Sequence, residues 1–196
     1  SSHLLKYYVL KSKRDNKMRM QGKIGLVTAA GSGMGKAGAI RFAREGASVS
    51  VVDINPEAVD AVVKEIKDAG GNAIGIVADL TKDEESKRIV TETANHFEGL
   101  DFVWNHVGYP GPASIEGIEM KDFELTLDLN LRTILVTTEA ALSEFRIRGG
   151  GTLLYTASSS GLMGSGFSPV YSMAKFGVVG FVKALAKRVA KDNVRA

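Results

Sequence analysis

One group of residues in the last third of the chain has the side chains that acid–base chemistry needs. Tyr171 and Lys175 stand four residues apart, so in a helix they share one face. A phenol has a pKa of about 10 and is a poor base near neutrality, but an adjacent ammonium group favours the phenolate. Tyr171 could then exchange a proton with a hydroxyl or carbonyl, and Ser158 could hydrogen-bond the same oxygen. A helix that begins with a surface Tyr and Lys fits the same pattern.

A second group has the composition of a site for a dinucleotide diphosphate. Residues 28–35 read Thr-Ala-Ala-Gly-Ser-Gly-Met-Gly and join an apolar run to a helical pattern. Glycines let a backbone approach a diphosphate closely, and a helix N-terminus favours its negative charge. A plain tight turn has the same composition, so the sequence around it decides between the two. The residues predicted to contact the cofactor here are Thr28, Ala29, Gly31, Ser32, Gly33, Met34 and Gly35.

Asp53 supplies part of that context. It ends the next apolar run, about 20 residues further on, where a carboxylate can accept hydrogen bonds from an adenosine ribose. The same carboxylate would repel a 2′-phosphate, and neither Ser32 nor Ile54 offers the positive charge that a 2′-phosphate needs. The sequence therefore favours NAD over NADP, with Asp53 and Ile54 beside the ribose. A surface acid at a strand end is the alternative interpretation.

These residues follow strands in an alternating pattern of strands and helices. Five short apolar runs predict buried parallel strands at 24–29, 47–52, 73–78, 100–104 and 152–157. Helical patterns cover 33–45, 55–69, 82–96, 120–146 and 171–191. The alternation predicts an α/β fold, a doubly wound parallel (Rossmann) sheet in three αβα layers. Such a sheet binds ligands beyond the carboxyl ends of its strands, where these polar and glycine-rich residues fall.

Over about residues 20–196 the chain resembles the single-domain branch of the short-chain dehydrogenase/reductase family. The family motif Thr-Gly-x-x-x-Gly-x-Gly matches Thr28, Gly33 and Gly35, with Ala29 in place of its first glycine. The motif Asn-Asn-Ala-Gly appears as Asn-His-Val-Gly at 105–108, where only the first and last residues match. The family's acidic residue that selects NAD falls on Asp53.

The resemblance implies a role for further residues. The aspartate that touches adenine falls on Asp79, with Leu80 beside it, and other cofactor contacts fall on Asn105, Val107, Gly108, Tyr171 and Lys175. The family's catalytic residues fall on Asn130, Ser158, Tyr171 and Lys175. The implied reaction moves a hydride between NAD(H) and a secondary alcohol or ketone. Tyr171 would be the acid/base, Lys175 would hold the nicotinamide ribose, and Asn130 would order a relay water. A non-catalytic NAD(H)-binding sensor or scaffold protein of the same fold is the alternative.

The loops and the last helix indicate the type of substrate and the assembly. The loops that form the family's pocket offer mainly apolar, uncharged residues, which predict a neutral, fairly hydrophobic alcohol or ketone. They are Tyr109, Pro110, Pro112 and Ala113 after strand four, and Leu162, Met163, Gly164 and Phe167 after strand five. The helix from Tyr171 is apolar on more than one stripe, which fits burial in one subunit or an intersubunit surface. The family pairs this helix with the Asn130 helix, so we expect a homodimer or homotetramer.

Composition excludes several other functions. The 196 residues contain no Cys, which excludes a disulfide scaffold and a thiol nucleophile, and no apolar run of about 18 residues, which argues against a membrane span. The +3 charge comes from the two ends, because residues 18–182 hold 15 basic and 20 acidic residues. We therefore expect no nucleic-acid partner and a cytoplasmic location. His96 and His106 lack a second ligand at metal spacing, so no metal is predicted, and His106 is expected to pack near the cofactor.

The chain divides into two parts. Residues 1–17 are predicted to be a tag-like or disordered arm, because they lack a signal-peptide pattern and precede the first strand. Residues 18–196 are predicted to form one dinucleotide-binding and catalytic domain. Val194 begins where a sixth strand would start, so the sheet is expected to lack its C-terminal strands.

Overall fold

The computed structural model describes residues 18–196, so the predicted arm over 1–17 lies outside the described residues. Six parallel strands form one sheet in the order β3-β2-β1-β4-β5-β6. The order reverses between β1 and β4, which opens a crevice at the carboxyl edge. The strands are β1 (Ile24–Thr28), β2 (Ser48–Asp53), β3 (Asn72–Val77), β4 (Phe102–Asn105), β5 (Gly151–Tyr155) and β6 (Val194–Arg195).

The crossovers between the strands are helical. In chain order the helices are α1 (Gly33–Arg44), α2 (Pro56–Asp68), α3 (Asp83–Phe97), α4 (Met120–Leu127), α5 (Thr133–Arg148) and α6 (Pro169–Val189). A π-helical turn, Asp128–Arg132, joins α4 to α5, and a 3₁₀ turn, Ser159–Gly161, precedes α6. None of the helices in the described part of the chain combines the length and apolar character that crossing a bilayer requires.

The sheet agrees with the predicted fold class. The five strands predicted from apolar runs are present, and a sixth strand of two residues begins at Val194, where the sequence placed its start, and pairs with β5. One predicted element begins elsewhere. The last helix begins at Pro169 instead of Tyr171, because a proline suits the first turn of a helix, where its missing N–H has no partner.

The strand register aligns the residues that follow the strands. Val27 pairs with Trp104 across β1 and β4, and Asn105 pairs with Tyr155 across β4 and β5. Asp53 stands at the end of β2, one residue beyond the Thr28–Val52 pair. The carboxyl ends of the central strands therefore end within about one residue of each other, at the edge where the candidate residues lie.

Both faces of the sheet are buried, which explains the nearly continuous apolar strands. Leu26, Val103 and Leu153 pack with Phe145 in the core against α3, α5 and α6. The alternate residues form the second core, against α1 and α2, and include Val27, Val49, Val51 and Phe102. Strand alternation therefore decides which helix layer each residue contacts.

Candidate active site

The glycine-rich turn leaves the start of α1 open to an anion. Ser32 is the N-cap residue, but its side chain makes no capping hydrogen bond, and the first turn has no acidic residue. The first amide N–H groups of a helix have no partner within the helix, so a bound anion can take them. Gly33 has a φ of +55°, and a β-carbon there would meet nothing within 4 Å. The turn therefore has the open backbone that a diphosphate requires.

The packing of the turn explains two of its small residues. A β-carbon on Gly35 would collide with the carbonyl of Ala29, so only glycine fits at that position. Ala29 itself, which replaces the first glycine of the family motif, keeps a left-handed φ of +51°. The alanine therefore follows the backbone course that a glycine adopts freely, at a steric cost. This departure from the motif leaves the course of the turn intact.

The Asp53 carboxylate is hydrogen-bonded to the backbone of the same turn. Its Oδ2 accepts a hydrogen bond from the amide of Gly31 at 2.9 Å, and its Oδ1 accepts one from the amide of Asn55 at 3.2 Å. A β-carbon on Gly31 would lie 2.9 Å from Cγ of Asp53, so the contact requires glycine. Ile54 is exposed beside it, and Met34 is exposed at the start of α1. The carboxylate therefore lies between the glycine-rich turn and the start of α2.

Asp79 and Leu80 follow β3 on the far side of Asp53. The hydroxyl of Thr81 donates to Asp79 Oδ1 at 2.6 Å, and this bond, with Lys82 nearby, lowers the pKa of Asp79. Leu80 is buried, and its carbonyl accepts a hydrogen bond from the Thr133 hydroxyl at 2.7 Å. This turn is thereby tied to the first residue of α5.

The loop after β4 is hydrogen-bonded to Thr28 of β1, and Asn105 just before it is hydrogen-bonded to α5. The buried Thr28 hydroxyl accepts hydrogen bonds from the amides of His106, at 2.8 Å, and Val107, at 3.0 Å. Asn105 Oδ1 accepts one from the Thr137 hydroxyl of α5 at 2.6 Å, while its buried Nδ2 has no partner in the part of the chain that the structure describes. The predicted cofactor residues Thr28, Asn105 and Val107 are therefore parts of one connected structure.

Asn130 lies in the π-helical turn with its side chain buried. Its Nδ2 donates to the carbonyls of Tyr109, at 2.7 Å, and Thr126, at 2.9 Å. Its Oδ1 is buried and has no hydrogen-bond partner within residues 18–196. A β-carbon on Gly108 would lie 2.9 Å from that oxygen and 3.3 Å from Nζ of Lys175. Gly108 therefore separates a free acceptor from an ammonium group, and its missing side chain leaves room between them.

Lys175 is a buried cation. The residue is 2% exposed, and its Nζ donates to the carbonyl of Thr156 at 2.9 Å. The same Nζ lies 5.4 Å from the centre of the Tyr171 ring. Burial lowers the pKa of Lys175, and within residues 18–196 no carboxylate offsets that effect. A buried charge that no neighbouring carboxylate compensates is typical of a functional site.

Ser158 caps the 3₁₀ turn that leads toward α6. Its Oγ accepts a hydrogen bond from the amide of Ser160 at 3.2 Å. Gly161, at the end of the turn, packs so closely that a β-carbon would lie 2.6 Å from the carbonyl of Lys175. The structure thus brings Asn130 and Lys175 together at Gly108, with the Tyr171 ring beside Lys175, and it places the Ser158 turn against the same part of α6.

Thr156 is the site residue that sequence reasoning missed. Its carbonyl holds Lys175, and its hydroxyl accepts a hydrogen bond from Nε1 of Trp104 at 3.0 Å. A backbone carbonyl has no residue type, so no sequence signal could have found the first contact. The second joins residues 52 positions apart, which the sequence pattern does not pair.

The doubly wound sheet, with a glycine-rich turn at its crevice, defines a Rossmann-type α/β protein. The model of the short chain dehydrogenase family matches residues 23–196. An oxidoreductase of uncharacterised function from Thermotoga maritima is 36% identical over 178 residues, which cover 91% of this chain and 70% of the relative. The chain belongs to the short-chain dehydrogenase/reductase family, a family of oxidoreductases that bind nicotinamide cofactors.

Solved structures agree with this assignment. A 7α-hydroxysteroid dehydrogenase complexed with NADH and 7-oxo glycochenodeoxycholic acid has a TM-score of 0.88 and 30% identity, over 92% of this chain and 71% of that one. A short-chain dehydrogenase from Burkholderia cenocepacia in complex with NADP has a TM-score of 0.85 and 30% identity, over 90% of this chain and 72% of that one. Structural neighbours with this fold therefore include complexes with both cofactors.

Proposed function

We propose that this protein is an NAD-dependent alcohol dehydrogenase and ketone reductase. It moves a hydride between NAD(H) and a secondary alcohol or ketone, with Tyr171 as the acid/base. The observation that carries the proposal is the buried ammonium of Lys175, which lies beside Tyr171 and faces the unpartnered oxygen of Asn130 across Gly108. A sensor or scaffold protein would bind the cofactor without needing an uncompensated buried charge at this point.

The residues present fit a dinucleotide. The free amides at the start of α1 and the open backbone at Gly33 suit the diphosphate. Asp53 suits the adenosine ribose, while Asp79 and Leu80 suit the adenine. Asn105, Val107 and Gly108, with Tyr171 and Lys175, complete the proposed cofactor site at the nicotinamide end. When bound, the nicotinamide accepts or supplies the hydride.

Four side chains of this chain would handle the proton. Ser158 hydrogen-bonds the substrate oxygen and orients it toward Tyr171. Tyr171 takes the hydroxyl proton as the alcohol is oxidised and returns it when a ketone is reduced. The ammonium of Lys175 lies 5.4 Å from the centre of the Tyr171 ring and is placed to hold the nicotinamide ribose. The free Oδ1 of Asn130 accepts a hydrogen bond from a relay water between it and Lys175.

NAD is the proposed cofactor because of the charge at the end of β2. Asp53 presents a carboxylate whose two oxygens accept bonds from backbone amides, and Ile54 beside it is apolar and exposed. A 2′-phosphate would meet that negative charge with no compensating cation from Ser32 or Ile54. Binding of NADPH more tightly than NADH would contradict this part of the proposal.

The proposed substrate is a neutral, fairly hydrophobic alcohol or ketone. The loop between the Ser158 turn and α6 exposes Leu162, Met163 and Phe167, which are 68%, 73% and 81% exposed. The loop after β4 adds Tyr109, and the Asn130 amide holds its carbonyl. Large apolar side chains beside a polar reaction centre favour a substrate that is apolar around one polar oxygen.

The proposed assembly is a homodimer or homotetramer through α5 and α6. Both helices leave large apolar side chains exposed, among them Leu135, Met173 and Phe176. Exposed apolar surface of this kind is typical of a protein interface. The cytoplasmic location and the absence of a nucleic-acid partner remain predictions from composition.

The test is NADH formation across a panel of alcohols, followed by absorbance. We expect turnover in the wild type and a loss of about 10²- to 10⁴-fold in kcat for Tyr171→Phe, which removes the proton-transferring hydroxyl. Tyr155→Phe is the matched control, because its hydroxyl bonds Thr138 on the α5 side of the sheet, and it should keep near wild-type kcat. NADH binding without turnover of any alcohol or ketone would favour the sensor or scaffold instead.

A further inference from the structure

We propose that His106 is a positioning residue, which holds Lys175 in place by acting through Thr156. The proposal rests on the proposed function, because Lys175 acts on Tyr171 and the cofactor only in that reaction. His106 stands where the family motif has its second asparagine. The sequence predicted only that it packs near the cofactor.

The His106 ring lies between Thr156 and Trp104. Its Nδ1 lies 2.8 Å from Oγ1 of Thr156, within hydrogen-bond distance. Its ring centre lies 4.8 Å from that of Trp104, at an angle of 42°. Its Cδ2 edge faces the start of α1, where a β-carbon on Gly35 would come within 3.0 Å. The hydrogen bond to Thr156 and the ring contact with Trp104 therefore determine the orientation of the imidazole, and the missing side chain of Gly35 leaves room for it.

Thr156 connects the His106 ring to Lys175. Its hydroxyl is shared between His106 and Nε1 of Trp104, and its amide donates to the carbonyl of Asn105 at 3.0 Å. Its own carbonyl accepts the hydrogen bond from Lys175 Nζ. Thr156 is the first residue after β5: its amide still bonds β4, whereas its carbonyl bonds Lys175. The two bonds to its side chain therefore help to aim the carbonyl that holds the ammonium.

The charge of the His106 imidazole matters because Lys175 is close to it. At this position His106 must form its hydrogen bond without adding a second positive charge. Burial, together with the charge of Lys175, lowers the pKa of His106, so the imidazole is neutral near pH 7. A neutral imidazole can bond Thr156 and leave the field at Lys175 unchanged. Asparagine, the residue of the family motif, is likewise neutral and able to hydrogen-bond.

The experiment compares two pairs of variants. His106→Phe keeps the stacking on Trp104 and removes Nδ1, whereas His106→Asn retains a polar group close to the Nδ1 position. Thr156→Val removes the hydroxyl at constant shape, whereas Thr156→Ser retains it. We expect His106→Phe and Thr156→Val, which lack the polar group, to shift the acidic limb of the kcat–pH profile. The shift should be about half a pH unit to one pH unit toward higher pH. Both variants should also weaken NADH binding several-fold, while their partners stay near wild type.

Unchanged pH profiles and NADH affinities in folded His106→Phe and Thr156→Val would overturn the proposal. Because Thr156→Val is isosteric, it decides the question even where His106→Phe fails to fold. Equal losses in all four variants would also overturn it, since they would indicate a general packing defect. Melting temperatures, measured in parallel, identify the folded variants.

A fluorescence titration keeps this proposal separable from the proposed function. Trp104 is the only tryptophan of the chain, and a protonated imidazole quenches indole emission. The wild type should show an emission change with a midpoint below pH 6.5, and His106→Asn should abolish it. Should no alcohol or ketone turn over, the proposed function fails while the emission and NADH affinities still decide the role of His106. Emission that does not titrate would place His106 away from Trp104 and overturn the positioning role.

Discussion

Ala29 has a backbone conformation that alanine disfavours, so Ala29→Gly should stabilise the protein. Its φ of +51° lies in the left-handed region, where a β-carbon costs roughly 1–2 kcal/mol. Glycine avoids that cost but gains freedom in the unfolded chain, which offsets about 0.4–1 kcal/mol. The expected net gain in the free energy of unfolding is about 0.5–1 kcal/mol. For a domain of this size that gain raises Tm by about 1–4 °C.

The assay is equilibrium unfolding in urea, with a thermal melt of the same samples. Ala30→Gly is the matched control, because Ala30 is fully buried and is not among the residues with positive φ. It loses a buried methyl and gains the same unfolded-state freedom, so it should cost about 1–2 kcal/mol. The two neighbouring substitutions are therefore expected to shift the urea midpoint in opposite directions.

Destabilisation by Ala29→Gly as large as that by Ala30→Gly would refute the reasoning. It would mean that the methyl group of Ala29 contributes more through its contacts than the left-handed backbone costs. The m-value should stay constant in both variants, since neither substitution changes the surface exposed on unfolding.

Three further predictions follow from packing and charge. Gly38→Ala should cost about 1–3 kcal/mol in urea unfolding, because its methyl would overlap the indole of Trp104, whereas Gly180→Ala, with open space around it, should be neutral or stabilising. Burial alone would raise the pKa of Asp101, but a backbone amide, a lysine and an arginine that bond it lower that pKa overall. Its contribution to stability is therefore present above pH about 3.9 and lost as the pH falls through the folded-state pKa, so the cost of Asp101→Asn at pH 7 should vanish in acid. Asp53→Asn keeps an acceptor for the glycine-rich turn but removes the charge, so the ratio of NADPH to NADH dissociation constants should fall by about tenfold or more in fluorescence titrations.

Local features of the sequence were enough to predict the class of fold. Apolar runs separated by helical patterns predicted a parallel sheet, because strands that are buried on both faces contain few polar residues. The order of the elements then placed the glycine-rich turn, Asp53 and the Ser158 loop at one edge, because parallel strands all end on the same side. The spacing of Tyr171 and Lys175 put them on one helix face, since four residues make about one turn.

Only the tertiary structure determined how these residues meet. The unpartnered oxygen of Asn130, the buried ammonium of Lys175 and the gap at Gly108 come from three separate elements. The left-handed backbone of Ala29 depends on the close approach of Gly35, and the contacts of Thr156 join a carbonyl and a hydroxyl to residues far along the chain. Residue types and their spacing predict local helices and strands. Contacts between distant residues, and contacts of backbone atoms, depend on how the helices pack on the whole sheet.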